Sequence, residues 1–142
     1  MKKVFAETYP SGYIVTSVNS VTVANNTAKS ETFTVPDDTV WVVDSIRAVN
    51  PDDVARDIYI RWFKESALTN KISNLMFGAS GAGGDIVWPN TAAIGASYNE
   101  NPPSIVMSAG ETIEIYFAAG GASTGGTLAN SIVIHRRVLS KT

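Results

Sequence analysis

Few side chains in this sequence could carry chemistry. The one histidine, His135, stands in an alternating row with Val133 and Arg137. A general base needs a carboxylate to orient its second ring nitrogen, and no spacing here supplies one. His135 therefore reads as a surface or interface imidazole. Glu111 and Glu114 lie three positions apart in a strand-like segment, so a period of two sends them to opposite faces and defeats a paired-carboxylate mechanism. Asp37-Asp38 and Asp52-Asp53 with Asp57 could gather oxygens around calcium. Their spacing lacks the ligand positions and glycine of an EF-hand, and a turn and a cap explain them better.

Cysteine is absent, which removes thiolate metal sites, a cysteine nucleophile and any disulfide framework. The glycine-rich runs at residues 78–84 and 120–126 are not followed by Lys-Ser or Lys-Thr. Neither leads into a helix, so neither should cradle phosphate. Trp41, Trp62 and Trp88 could stack on sugar rings, although tryptophan in a β-sandwich more often fills a core or an interface. No catalytic residue, metal, cofactor or small-molecule substrate is expected, and the protein is read as a non-enzyme.

Whatever these residues do, the scaffold under them is small. At 142 residues, one domain with one core is expected, burying about 70% of the unfolded chain's surface. Apolar residues make up 44% and charged residues 17%, which excludes a disordered chain and leaves an exterior poor in charge. Eleven basic and thirteen acidic groups are scattered along the chain for a net charge of −2. No field is available to attract a polyanion, so nucleic acid is not an expected partner. Lys2-Lys3 is not expected to begin a signal peptide, because Glu7, Pro10 and Gly12 interrupt the stretch that follows. The apolar runs, such as Val40-Trp41-Val42-Val43, are far shorter than the roughly 20 residues that cross a bilayer, and no membrane segment is expected.

The elements read as strands. Residues 1–12 form an extended arm carrying Phe5 and Tyr9 and ending at Pro10-Ser11-Gly12. Residues 13–142 form the single β domain. Its clearest strand is residues 39–50, rich in β-branched and aromatic side chains and free of glycine and proline. Asn50-Pro51-Asp52-Asp53 has the grammar of a short helical turn. Residues 111–117 alternate, with Ile113, Ile115 and Phe117 inward and Thr112, Glu114 and Tyr116 outward. About eight such strands without an amphipathic helix select an all-β fold, a jelly-roll-like antiparallel β-sandwich.

Several strands carry apolar groups on both faces. On residues 39–50, counting by two puts Val40, Val42, Ile46 and Ala48 in the core and Trp41, Val43 and Val49 opposite. Tyr59 and Phe63, then Val133 and Leu139, repeat the pattern. Each such side chain left wet forgoes about 1.5–3 kcal/mol of burial. Loops and the arm could cover the surplus within one chain. A closed ring of three copies is the other solution and the one expected here, with Trp41, Val43, Tyr59, Phe63, Val133 and His135 at the interface.

Two runs carry a resemblance. Val35-Pro36-Asp37-Asp38-Thr39-Val40-Trp41-Val42-Val43-Asp44-Ser45-Ile46-Arg47-Ala48-Val49-Asn50 resembles the strand pair that opens jelly-roll domains of tailed-bacteriophage virion proteins. Met107-Ser108-Ala109-Gly110-Glu111-Thr112-Ile113-Glu114-Ile115-Tyr116-Phe117 looks like the later turn and strand of that domain. Within that group the size and the arm look most like head decoration, or cement, proteins, with Thermus phages the suggested source. The resemblance implies a homotrimer on the outer surface of the virion capsid that ties neighbouring major capsid subunits together. Phe5, Tyr9 and Tyr13 are the expected contacts to the capsid or to a neighbouring chain. Similar jelly rolls occur in tail fibres and receptor-binding tips, which would instead bind host cells or glycans through Trp88 and the glycine-rich loops.

Overall fold

The computed structural model describes residues 12–89, 96–97, 104–119 and 123–140. These hold ten strands: β1 Gly12–Val23, β2 Lys29–Thr34, β3 Thr39–Val49, β4 Arg56–Phe63, β5 Lys71–Ser80, β6 Asp85–Trp88, β7 Ala96–Ser97, β8 Ile105–Ser108, β9 Thr112–Phe117 and β10 Gly126–Ser140. One sheet runs β1-β10-β3, and the far edge of β3 is shared by β8 along Val40–Val43 and β6 along Ile46–Val49. The other runs β2-β9-β4-β5-β7. All pairings are antiparallel. Only the β4–β5 hairpin keeps two consecutive strands in one sheet; every other connection crosses between them. The chain is thus an all-β, two-layer antiparallel sandwich whose layers are stitched together by their own loops.

The core lies between the sheets. From β9 it takes Ile113, Ile115 and Phe117, from β4 Ile58 and Ile60, and from β10 Ile132, Ile134 and Val138. Trp88 and Met107 fill it from the two short strands that share the far edge of β3. The alternation of β9 predicts its inward row, yet Thr112 and Glu114 in the opposite row are buried too. β9 lies between β2 and β4, and on its outer face Thr112 stands beside Thr34 and Phe63, and Glu114 beside Thr32 and Arg61.

On β3 the period-two count is overturned. His135 pairs with Ser45 and Arg136 with Val43, so Asp44 is an extra residue without its own partner on β10. An inserted residue reverses the parity of a strand. Before the bulge the odd residues Trp41 and Val43 enter the core, and after it the even residues Ile46 and Ala48 do. Val40 and Val42 are left half-buried on the outside. Arg136 lays its guanidinium 4.3 Å above the Trp41 ring.

One end of the sandwich is locked by polar groups. Arg56 is buried and donates to Asp52 Oδ2 at 2.7 Å and to the backbone carbonyls of Thr27, Ala118 and Ala24 at 2.7, 2.9 and 2.8 Å. The residues from Asn50 to Asp53 form no helical turn. Instead the Asp52 N–H donates to Asn50 Oδ1 at 3.0 Å, an Asx turn, and the Asn50 amide group donates to the carbonyls of Val54 and Gly81. Burial pushes the Asp52 carboxyl up. The Arg56 guanidinium, the Asp53 hydrogen bonds and Ser123 outweigh it and hold the group at about 2.

The described parts of both glycine-rich runs are anchored. Residues 78–80 belong to β5, and the turn after it is pinned to Asn50, whose N–H donates to Gly84 O at 2.8 Å while the Gly83 N–H donates to Asn50 O at 3.2 Å. Gly125 adopts φ +75°, and at Gly126 a Cβ atom would come within 2.1 Å of Pro51 O. Glycine is required there because two backbones touch.

Candidate interaction surface

The outer face of the β1-β10-β3 sheet is where apolar side chains meet solvent. Register sets out its rows. Ile14 lies beside Arg137, Arg137 beside Val42, and Val42 beside Val106, a row across β1, β10, β3 and β8. A second row joins Thr16, His135 and Ser45, and a third joins Val18, Val133, Arg47 and Val87. At about 4.8 Å between strands, the first row is about 14 Å wide. Ile14 is 78% exposed, Val106 60% and Val18 48%.

The charges on this face are mutually paired. Arg47 Nε lies 2.7 Å from Asp85 Oδ2, and Arg137 Nη2 lies 3.4 Å from Asp44 Oδ1. Thr16 Oγ1 and His135 Nδ1 share a hydrogen bond of 2.9 Å. The face is therefore greasy and nearly neutral, the character of a protein contact rather than of a phosphate-binding groove. It ends at β1, which has no strand on its outer side among the described residues. From Gly12 to Ala28 the chain carries no charged side chain and no proline, so that edge lacks the residues that normally guard an open strand.

The residues expected at an oligomer interface do not share one surface. Val133, half-buried, and His135, exposed, lie on the face just described. Trp41 and Val43 do not, because the Asp44 bulge turns them into the chain's own core, where they are 7% and 0% exposed. Phe63 is also covered by its own chain, at 7% exposure. It belongs to the outer row of the second sheet together with half-buried Tyr59, opposite Thr112 and Tyr116 of β9. Phe5 and Tyr9 lie outside the described residues, as does the rest of the expected arm apart from Gly12. Tyr13 is placed in β1 by its backbone alone. The residues that sequence reading missed are Ile14, Val18 and Val106, and Val42, which it had assigned to the core. The alternation Ile14, Thr16, Val18 was visible, but only the register shows what stands next to it.

The tryptophans offer no sugar platform. Trp88 is fully buried, Trp41 is in the core, and Trp62 packs against the core with its indole N–H donated to Glu111 Oε1 at 3.0 Å. Glu111 also accepts the Ser108 N–H at 3.2 Å and so closes the β8–β9 turn. Among the described residues, no three His, Asp or Glu side chains gather as a metal site would require.

The second sheet presents a different outer face. Tyr59 packs against Phe77 with ring centroids 4.6 Å apart and against Tyr116 at 5.9 Å. The Arg61 guanidinium lies 4.6 Å from the Tyr59 centroid and 4.9 Å from that of Tyr116. Beside it Glu114 accepts the Ser30 hydroxyl at 2.6 Å.

The molecule is thus defined as an antiparallel β-sandwich with one aliphatic and one aromatic outer face. No family model matches the chain, and no curated protein matches it.

Proposed function

We propose that this chain is a capsid decoration, or cement, protein: a homotrimer on the exterior of an expanded phage head that bridges major capsid subunits. The observation that carries the reading is the aliphatic face of the first sheet. A lone chain leaves Ile14, Val18 and Val106 in water there, next to an unguarded edge. Such a face gains from being covered, and a closed assembly covers it without exposing a new one.

Two further features support the reading. The two runs that resemble virion jelly rolls are neighbours in space: β3 pairs with β8 through Trp41 and Met107. The Val35 N–H donates to Glu111 O and the Gly110 N–H to Val35 O, each at 2.9 Å. The order β1-β10-β3-β8 facing β2-β9-β4-β5 also fits a jelly roll built from two Greek keys. The mechanism is mechanical. Each subunit junction covered adds buried area, on the order of 1,600 Å² for a standard interface, and linking three copies raises the effective concentration of every contact.

The test is mass in solution together with co-sedimentation against empty expanded heads and against host cells. A trimer that saturates sites on heads is expected. A monomer that ignores heads would overturn the proposal, and binding to cells would favour a receptor-binding tip. The burial of Trp88 leaves that alternative without its expected sugar contact.

A further inference from the structure

Arg61 is a charged group whose own chain holds it without satisfying it. It projects from the outer face of the second sheet between two tyrosine rings. Its Nε–H is buried and meets no acceptor at hydrogen-bond distance. Glu114 Oε1, the nearest carboxylate oxygen, is 3.6 Å away, beyond a good N–H···O bond. The other carboxylate oxygen, Glu114 Oε2, accepts a short bond from Ser30 at 2.6 Å. The guanidinium is thus fixed by stacking, only partly neutralised, and 26% of the side-chain surface remains open. A guanidinium presents five N–H donors in a planar fork; with Nε enclosed by its own chain, the terminal Nη groups are the edge left for a planar acceptor.

We propose that Arg61 is the anchor through which this face grips an Asp or Glu side chain of a partner polypeptide. Tyr59, Tyr116 and Phe77 form the apolar collar around the ion pair. Arginine and tyrosine are the residue types that dominate protein contacts when a ring of neighbours excludes water around them, and a fork meeting a carboxylate forms two parallel charge-assisted bonds. An acidic sugar is the poorer fit. The faces on which it would stack are engaged already, Tyr59 by Arg61 and Phe77, and Tyr116 by Arg61. The inference rests on the proposed function only in taking the partner to be a protein.

The test uses the whole chain labelled with ¹⁵N. The Arg61 Nε–Hε resonance is assigned by its loss in Arg61→Lys, and the protein is titrated with acetyl-triglutamyl amide, acetyl-triglutaminyl amide and galacturonate. The glutamyl peptide is expected to shift the resonance saturably at millimolar concentration, the glutaminyl peptide to leave it in place, and high salt to abolish the effect. Glu114→Gln, which keeps the acceptor for Ser30 and removes the competing charge, is expected to bind the glutamyl peptide several-fold more tightly. No shift with the glutamyl peptide, equal shifts with both peptides, or a larger response to galacturonate would each overturn the proposal. On expanded heads Arg61→Lys, with an unchanged melting curve, is expected to bind about tenfold more weakly; undiminished binding also counts against it. If the wild-type chain ignores heads while the glutamyl titration succeeds, the capsid assignment falls and the Arg61 site stands.

Discussion

Replacing Arg56 by methionine keeps most of the side-chain volume and removes the guanidinium that closes one end of the sandwich. Four acceptors lose their donor at once: Asp52 Oδ2 and the carbonyls of Ala24, Thr27 and Ala118. Both members of the ion pair have fully buried side chains, so water cannot replace what is lost. Removing one partner of a buried pair costs about 3–5 kcal/mol, a large share of the roughly 5–15 kcal/mol that holds a domain folded. For a chain of this size that is a drop of about 10–15 °C in melting temperature.

The pH dependence should change as well. In the wild type the folded Asp52 carboxyl sits at about 2, below its ordinary value of 3.8. The stability it contributes is present above the ordinary value and is lost as pH falls from about 4 through 2. Without Arg56, burial of Asp52 is opposed only by the hydrogen bonds of Asp53 and Ser123, so its pKa rises relative to the wild type and the variant should lose less stability in acid. Asp52→Asn in the Arg56→Met background should recover part of the loss. Thermal and urea unfolding followed by circular dichroism from pH 7 to 2.5 measures each of these effects. A loss below about 1 kcal/mol, or an acid profile the same in both proteins, would refute the reasoning.

Three other outcomes are expected. Gly126→Ala should destabilise the fold by about 2 kcal/mol or more, because its Cβ would press on Pro51 O at 2.1 Å; urea denaturation reads this directly. Trp41→Ala should cost about 3–5 kcal/mol of unfolding free energy as a core deletion, whereas a residue facing only a partner would change assembly mass and spare the melt. Ile14→Lys combined with Val106→Lys should leave the folded chain within about 0.5 kcal/mol of wild type while converting the assembly to monomers by light scattering.

Much of the architecture was legible because β strands announce themselves by alternation. β9 shows this best: Ile113, Ile115 and Phe117 enter the core as their spacing demands. The count failed on β3, where one extra residue, Asp44, exchanges the two faces. A bulge is a property of two strands in register, and here the partners on β10 lie ninety or more positions away in the chain, so no local pattern reports it. The same distance hid the aliphatic face, whose rows are assembled from β1, β3, β8 and β10. The anchoring of the glycine runs was invisible for a related reason. Gly125 and Gly126 are small because Val23 and Pro51 approach them from elsewhere. Arg61 stands between Tyr59 and Phe63 in the outer row of β4, and only the register with β9 brings Tyr116 to stack on it.

The bare edge of β1 also constrains how the protein can be made. A twelve-residue strand with no charge along it and, among the described residues, no strand on its outer side can template pairing with any extended chain it meets. Copies synthesised faster than their binding places appear would therefore accumulate as self-associated material rather than as a soluble reserve. Yield should depend on supply being matched to demand: overexpression alone gives inclusion bodies, and co-expression with the surface that covers this edge restores soluble protein.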